Sequence, residues 1–260
     1  MKILKIPLNA GALSKKDGQD LAPDAIVKKL KDFYLKEDGN IPVFDIIDIN
    51  VNNSDIIESN DNISKAVSSL NFPAILLGGD HSITYSSFSA FAKKFKNPGI
   101  IIFDAHLDCE NDFSPPTHED YLRVLINEGH LKPENAIIVG VRNMHSNEKE
   151  YAKSKKLKIF SMKKISEEGA REVCDYVMEN ARQFDGLYLS VDIDAADPAF
   201  ASGTGYIEPG GLTSRELLYF LQRIKLLKNL KLIDVVEVNP KKDFNEITVL
   251  LAAKIIVELS

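Results

Sequence analysis

Apolar residues along the chain fall into two alternating rhythms. Short runs rich in Ile, Leu and Val occur at Ile3–Ile6, Val43–Ile49, Ala74–Leu77, Gly99–Phe103, Ala136–Val141, Leu157–Phe160, Leu187–Val191 and Lys231–Val238. Several are nearly continuous, the pattern of strands covered on both faces. The stretches between them carry helix grammar. Pro23 fits a first helical position, with Ile26, Leu30 and Phe33 following on one face. Thr213 and Glu216 have capping-box spacing, and Leu212 and Leu217 are placed for a hydrophobic staple. Asp243 and Glu246 repeat that spacing before the apolar C-terminal segment. Strand and helix alternating from end to end predict an α/β fold of three layers, α-β-α, around a central, mostly parallel sheet of eight strands. With no linker-like stretch, residues 1–260 are read as one domain.

Composition narrows the partners. The chain has 44% hydrophobic and 27% charged residues, ordinary for a folded protein and too apolar for a disordered one. Its 32 basic and 38 acidic residues leave a formal charge of −6, and no concentrated basic stripe suits a nucleic acid. Lys153 to Lys158 read as a solvated face. No run of about 18 apolar residues is present to cross a membrane. Lys5 and Pro7 interrupt the N-terminus before a signal-peptide core could form. Cys109 and Cys174 are too far apart for a CxxC pair and are expected to be idle thiols in a reducing cytoplasm.

In a parallel sheet, ligands collect beyond the carboxyl ends of the strands, and the chemistry-bearing residues fall there. Leu77-Gly78-Gly79-Asp80-His81-Ser82 follows an apolar run, its glycines permitting a tight turn from which His81 projects. After Gly99-Ile100-Ile101-Ile102 comes Phe103-Asp104-Ala105-His106-Leu107-Asp108. In extended backbone, Asp104, His106 and Asp108 would share a face. After Gly186-Leu187-Tyr188-Leu189 comes Ser190-Val191-Asp192-Ile193-Asp194, whose two aspartates share a face by the same argument. Each motif alone has a structural explanation: a satisfied histidine, a solvated loop end, a strand terminus. Together, three strand ends supply two imidazoles and four carboxylates, which would raise one another's pKa unless cations held them ionised. Four negative charges match two divalent ions. Carboxylate and imidazole without thiolate favour Mn²⁺ ahead of Zn²⁺ or Co²⁺, and such a pair lowers the pKa of a water toward neutrality.

The set GGDHS, DAHLD and SVDIDAADPAF, followed by SGTGYIEPGGLTSRE, resembles the signature of the ureohydrolases, the arginase/agmatinase family, from about Leu77 to the C-terminus. The resemblance implies two Mn²⁺ ions per chain held by His81, Asp104, His106, Asp108, Asp192 and Asp194. It pairs His81 and Asp108 with one ion and His106 and Asp194 with the other, Asp104 and Asp192 bridging. The implied reaction is hydrolysis of a guanidino group to urea and an amine. His118, in Thr117-His118-Glu119, matches the family's proton-shuttle histidine, although an exposed loop His is the plain alternative. The family usually has Gly where this chain has Glu119. Glu237, in Val236-Glu237-Val238-Asn239-Pro240, matches the glutamate that orients the guanidinium. Asp197 reads as a turn former rather than a supporting site residue. By analogy the family implies a homotrimer or homohexamer.

The tail of the substrate is read from missing groups. The arginase Ser-Gly-Asn element is replaced by Asp112-Phe113-Ser114-Pro115-Pro116-Thr117, and the arginase aspartate loop by Gly140-Val141-Arg142-Asn143-Met144-His145. Phe113 and two prolines would give a stiff, apolar wall suited to agmatine, a polyamine precursor, with Asn143 and His145 as substrate contacts. A formimidoylglutamase or guanidino-acid hydrolase could instead use Arg123, Arg142 or His145 to hold a carboxylate. An arginase, a histone-deacetylase-like amide hydrolase and a metal-stabilised scaffold without turnover complete the alternatives.

Overall fold

The protein is described by a computed structural model covering residues 1–13 and 17–260. Eight strands are present among these residues: β1 (Lys2–Ile6), β2 (Asp45–Asp48), β3 (Ala74–Gly78), β4 (Pro98–Phe103), β5 (Ala136–Val139), β6 (Lys158–Phe160), β7 (Gly186–Asp192) and β8 (Leu230–Val236). They form one all-parallel sheet in the order β2-β1-β3-β8-β7-β4-β5-β6. The predicted strand set and the three layers are therefore present. The helices are α1 (Ala22–Leu30), α2 (Ile56–Ser68), α3 (Ile83–Ala92), α4 (Tyr121–Asn127), α5 (Ser146–Lys155), α6 (Met162–Glu168), α7 (Ala170–Ala181), α8 (Ser214–Ile224) and α9 (Ile247–Leu259).

Alternation along each strand divides the core in two. Ile75, Leu77, Ile101, Phe103, Leu189, Val191 and Val235 face one layer, which holds α1, α6, α7, α8 and α9. Leu76, Ile100, Ile102, Tyr188 and Leu232 face the other, against α2, α3, α4 and α5. Crossovers toward the β6 edge use the second layer, and those toward the β2 edge use the first, as one handedness of crossover requires. The middle of the sheet, β3-β8-β7-β4, consequently pairs β3 with β8 and β4 with β7 across long stretches of sequence, with Leu77 in register with Val235 and Phe103 with Val191.

Capping follows the sequence at α8, where Thr213 and Glu216 complete a reciprocal capping box. At α9 the expected box does not form. Asp243 instead accepts from the N–H groups of Thr248 (3.0 Å) and Val249 (2.9 Å), and Glu246 sits in the left-handed region at φ 57° and pairs with Lys29. Phe33 also lies beyond the end of α1, although it still packs on the core. Both cysteines are free and buried. No helix of the described residues is long and apolar enough to cross a membrane.

Candidate metal centre and active site

The six residues predicted as metal ligands converge at the carboxyl ends of β3, β4 and β7. Beyond β3 the backbone of Gly79 touches the Leu8 carbonyl so closely that a Cβ there would fall 1.8 Å from its oxygen. Glycine at this position lets the chain turn inward and bury His81, whose backbone N–H donates to Glu237 Oε1 at 2.9 Å.

Convergence after β4 and β7 has a different cause from the shared face of an extended strand. β4 ends at Phe103, and Asp108 sits at φ 48°. Asp104 bends the chain by accepting the His106 N–H at 2.6 Å. Asp192 does the same to the Asp194 N–H at 2.8 Å, starting a short 3-10 turn. Aspartate is suited to both bends, because its short carboxylate can accept from the backbone two residues on.

The donor atoms form two cups. His81 Nδ1 lies 3.2 Å from Asp104 Oδ2, 3.0 Å from Asp108 Oδ2 and 3.2 Å from Asp192 Oδ2. His106 Nδ1 lies 3.4 Å from Asp104 Oδ1 and 3.1 Å from Asp194 Oδ2. Asp104 thus offers one oxygen to each cup, and candidate ligand sets form around His81, Asp104 and Asp192 and around Asp104, His106 and Asp194. His81 Nδ1 is buried yet aligned with none of the three oxygens for a hydrogen bond. Donors that crowd a common point without bonding one another fit a cation between them. Burial raises the Asp192 carboxyl well above its ordinary range, and the adjoining Asp194 and Asp104 raise it further. Divalent cations would relieve that repulsion.

Behind His81 a relay of hydroxyls sets the ring. His81 Nε2 is 2.8 Å from Ser190 Oγ, and that hydroxyl donates to Asp234 Oδ1 at 2.6 Å. Asp234 also accepts from Tyr188 (2.6 Å) and Thr84 (2.7 Å). With Ser190 Oγ donating onward, Nε2 carries the imidazole proton and Nδ1 presents its lone pair to the cup, an arrangement typical of metal-bound histidine. Ser190 and Asp234 had no assigned role in the sequence reading. The available signal was Asp234, a carboxylate inside an apolar strand, which burial obliges to find partners.

His118 is buried rather than an exposed loop residue, its side chain 4% accessible. Its Nδ1 lies 2.9 Å from Glu237 Oε1. Burial works to lower the imidazole pKa, but the Glu237 carboxylate outweighs it and lifts His118 to about 9. Glu237 follows β8 in the left-handed region, φ 63°, held there by its N–H bond to Gly79 O at 2.8 Å. A non-glycine residue in that conformation costs on the order of 1 kcal/mol and is commonest at functional sites.

One pocket joins these groups: His81, His106, Asp108, His118, Asp192, Asp194 and Glu237 line its floor. Glu110, Glu119, Asn143, Met144, His145, Glu148, Tyr206 and Glu208 line the rest of it, Glu208 Oε1 lying 3.5 Å from His106 Nε2. Asn143 holds Glu208 Oε1 at 2.7 Å. His145 stands at the rim, its side chain 70% exposed. Phe113 and its prolines are not among the described lining residues, so the expected stiff, apolar wall is not formed by them. Nor do the two arginines reach the pocket. Arg142 donates to the carbonyls of Gly140, Asp194, Ala195, Ala196 and Glu208. Arg123 holds the Glu110 carbonyl at 3.2 Å and stacks on Tyr151. Asp197 is the expected turn former, accepting from Ala199, Gly210 and Gly211 N–H groups. Glu110, Glu208 and Tyr206 are wall residues that spacing alone did not single out.

A parallel sheet that gathers imidazoles and carboxylates, without thiolate, beyond its middle strands has the architecture of the ureohydrolases. The model of the "Arginase family" matches residues 1–260. Among relatives, an "Arginase" of Staphylococcus aureus (strain MSSA476) is 35% identical, over 90% of this chain and 88% of the relative. A "Formimidoylglutamase" of Halalkalibacterium halodurans is 33% identical, over 98% of this chain and 84% of its own. The crystal structure of formimidoylglutamase from Bacillus subtilis superposes with a TM-score of 0.93 at 29% identity, covering 99% of this chain and 85% of that one. The chain belongs to the arginase family, hydrolases acting on guanidino or amidino groups.

Proposed function

We propose that the protein is a two-Mn²⁺ ureohydrolase that cleaves agmatine to putrescine and urea. The observation that carries this reading is the charge of the pocket. Its described lining contains Glu110, Glu119, Glu148, Glu208 and Glu237 but neither Lys nor Arg. Agmatine is cationic at both ends, whereas arginine, guanidino acids and formimidoylglutamate carry carboxylates that such a lining repels.

His81, Asp104, Asp108, Asp192, His106 and Asp194 would hold the ions. Bound there, a pair of divalent cations supplies Lewis acidity and a water of near-neutral pKa. Glu237 Oε2, free of the His118 contact and held only by a long bond from Gln19 Nε2 (3.4 Å), accepts from the guanidinium with its remaining lone pair and fixes its plane toward the cups. His118 Nδ1–H is committed to Glu237, leaving Nε2 to give a proton to the departing nitrogen. Glu208 and Glu110 receive the distal ammonium, with Asn143 fixing Glu208 and His145 beside Glu110.

Product release with Mn²⁺ across agmatine, arginine, guanidinobutyrate and formimidoylglutamate tests the assignment. Agmatine is expected to have the highest kcat/KM. Faster turnover of any of the carboxylates would overturn the substrate, and two bound metals without turnover of any would favour the scaffold.

A further inference from the structure

Glu119 is built into the pocket lining beside His118. Tyr206 donates its hydroxyl to Glu119 Oε1 at 2.6 Å across 87 residues of sequence. The same oxygen lies 3.8 Å from His118 Nε2. That nitrogen is buried and has no hydrogen-bond partner, while Nδ1 is taken by Glu237. The Tyr206 ring stands 6.0 Å from the His118 ring and 5.6 Å from the His106 ring. Glu119 itself is 27% exposed against 4% for His118. It is thus a carboxylate with one side toward solvent and the other toward the open nitrogen of a buried histidine.

We propose that Glu119, pinned by Tyr206, is the proton carrier between solvent and His118. The inference rests on the role of His118 in the proposed function and extends it. In turnover the His118 Nε2–H bond breaks as the N–H bond of the departing amine forms, and the electron pair stays on Nε2. The histidine must then recover one proton. Glu119 takes it from hydronium or a buffer acid onto its carboxylate. A turn about the terminal torsions, or one bridging water, brings that O–H to Nε2. There the O–H bond breaks, the Nε2–H bond re-forms, and the carboxylate returns to Tyr206. A glycine at this position could carry nothing, and the histidine would have to meet water directly.

The test is a buffer titration at constant pH and ionic strength. It uses the manganese-loaded protein and whichever of the four compounds above the wild type turns over fastest. Glu119→Gln keeps an acceptor for Tyr206 but cannot carry a proton. In weak buffer its kcat is expected to fall by about tenfold or more, with KM and metal content close to wild type. Imidazole, small enough to act as the missing carrier, is expected to restore kcat to within a few-fold, while wild-type turnover stays flat. Tyr206→Phe, which frees the carboxylate, should show a smaller loss with the same rescue. An unchanged kcat, a loss that imidazole does not relieve, or a rise in KM alone overturns the relay; the last would make Glu119 an anchor for the substrate amine. If the fastest compound is not agmatine, the proposed substrate falls, and the relay is still judged by buffer dependence.

Discussion

Replacing Ser190 with Ala removes one oxygen that touches no candidate ligand atom facing the cup, yet it should weaken the proposed metal binding. The hydroxyl accepts from His81 Nε2 at 2.8 Å and donates to Asp234 at 2.6 Å. Without it, Nε2–H has no acceptor, and the ring loses its reason to keep the proton on that side. The competing tautomer carries the proton on Nδ1, where three carboxylate oxygens 3.0–3.2 Å away attract it electrostatically even without hydrogen-bond alignment. A metal ion must then displace that proton. Loss of an outer partner of this kind costs roughly 10–100-fold in affinity, or about 1.4–2.7 kcal/mol. Asp234 keeps Tyr188 and Thr84 as donors, so the apoprotein should lose only about 1 kcal/mol or somewhat more of folding stability. Calorimetric titration of metal-free wild type and variant with Mn²⁺ reads the affinity, and melting without metal reads the fold. A Kd within twofold of wild type would refute the tautomer argument. So would a loss as complete as that of His81→Ala, since the imidazole itself is still present.

Replacing His118 with Ala should leave metal content intact and lower kcat by roughly 10²–10⁴-fold; lost metal would show that the histidine belongs to the cups. Asp192→Ala should do the reverse, lowering manganese occupancy measured by elemental analysis. Glu208→Gln should raise KM for agmatine more than it lowers kcat, with at most a modest loss of metal affinity, since Oε1 also lies 3.5 Å from His106 Nε2. Arg215 and Gln222 hold Glu37 at a pKa of about 2, below the ordinary 4.5. A depressed carboxylate stabilises the fold fully above the unfolded value, and the gain is lost as pH falls from 4.5 through 2. Discounted for the exposure of this pair, the contribution is about 1 kcal/mol. Urea melts of Glu37→Gln and wild type should therefore differ at pH 7 and differ by only about half as much at pH 3, the gap closing below pH 2; an equal gap at pH 7 and pH 3 would sink the linkage. Thr213→Ala should cost about 1 kcal/mol through loss of the α8 cap, read by the same melts.

The strands and the site motifs were legible in the chain because both depend on local pattern. Continuous apolar runs mark strands covered on two faces, and the six candidate ligands cluster within three short segments at their ends. The reason those segments converge was not local. Asp104 and Asp192 fold the backbone back through bonds to His106 and Asp194, and Asp108 turns at a positive φ, so extended alternation is not what gathers them. Long-range partners were hidden for the same reason: Glu237 meets His118 across 119 residues and Asp234 meets Ser190 across 44. The wall of the pocket shows the division most clearly. Phe113, prominent in sequence, falls outside the described lining, and Arg142 is committed to carbonyls, while Glu110, Glu208 and the Tyr206–Glu119 pair arrive from separate loops. By itself, the sequence determined the layers and the chemistry available at the strand ends, since period and residue type are properties of neighbours along the chain. Charge in the pocket, the protonated nitrogen of each histidine and the route to solvent were decided only in the tertiary structure, because each depends on groups that the parallel sheet order brings together from distant segments.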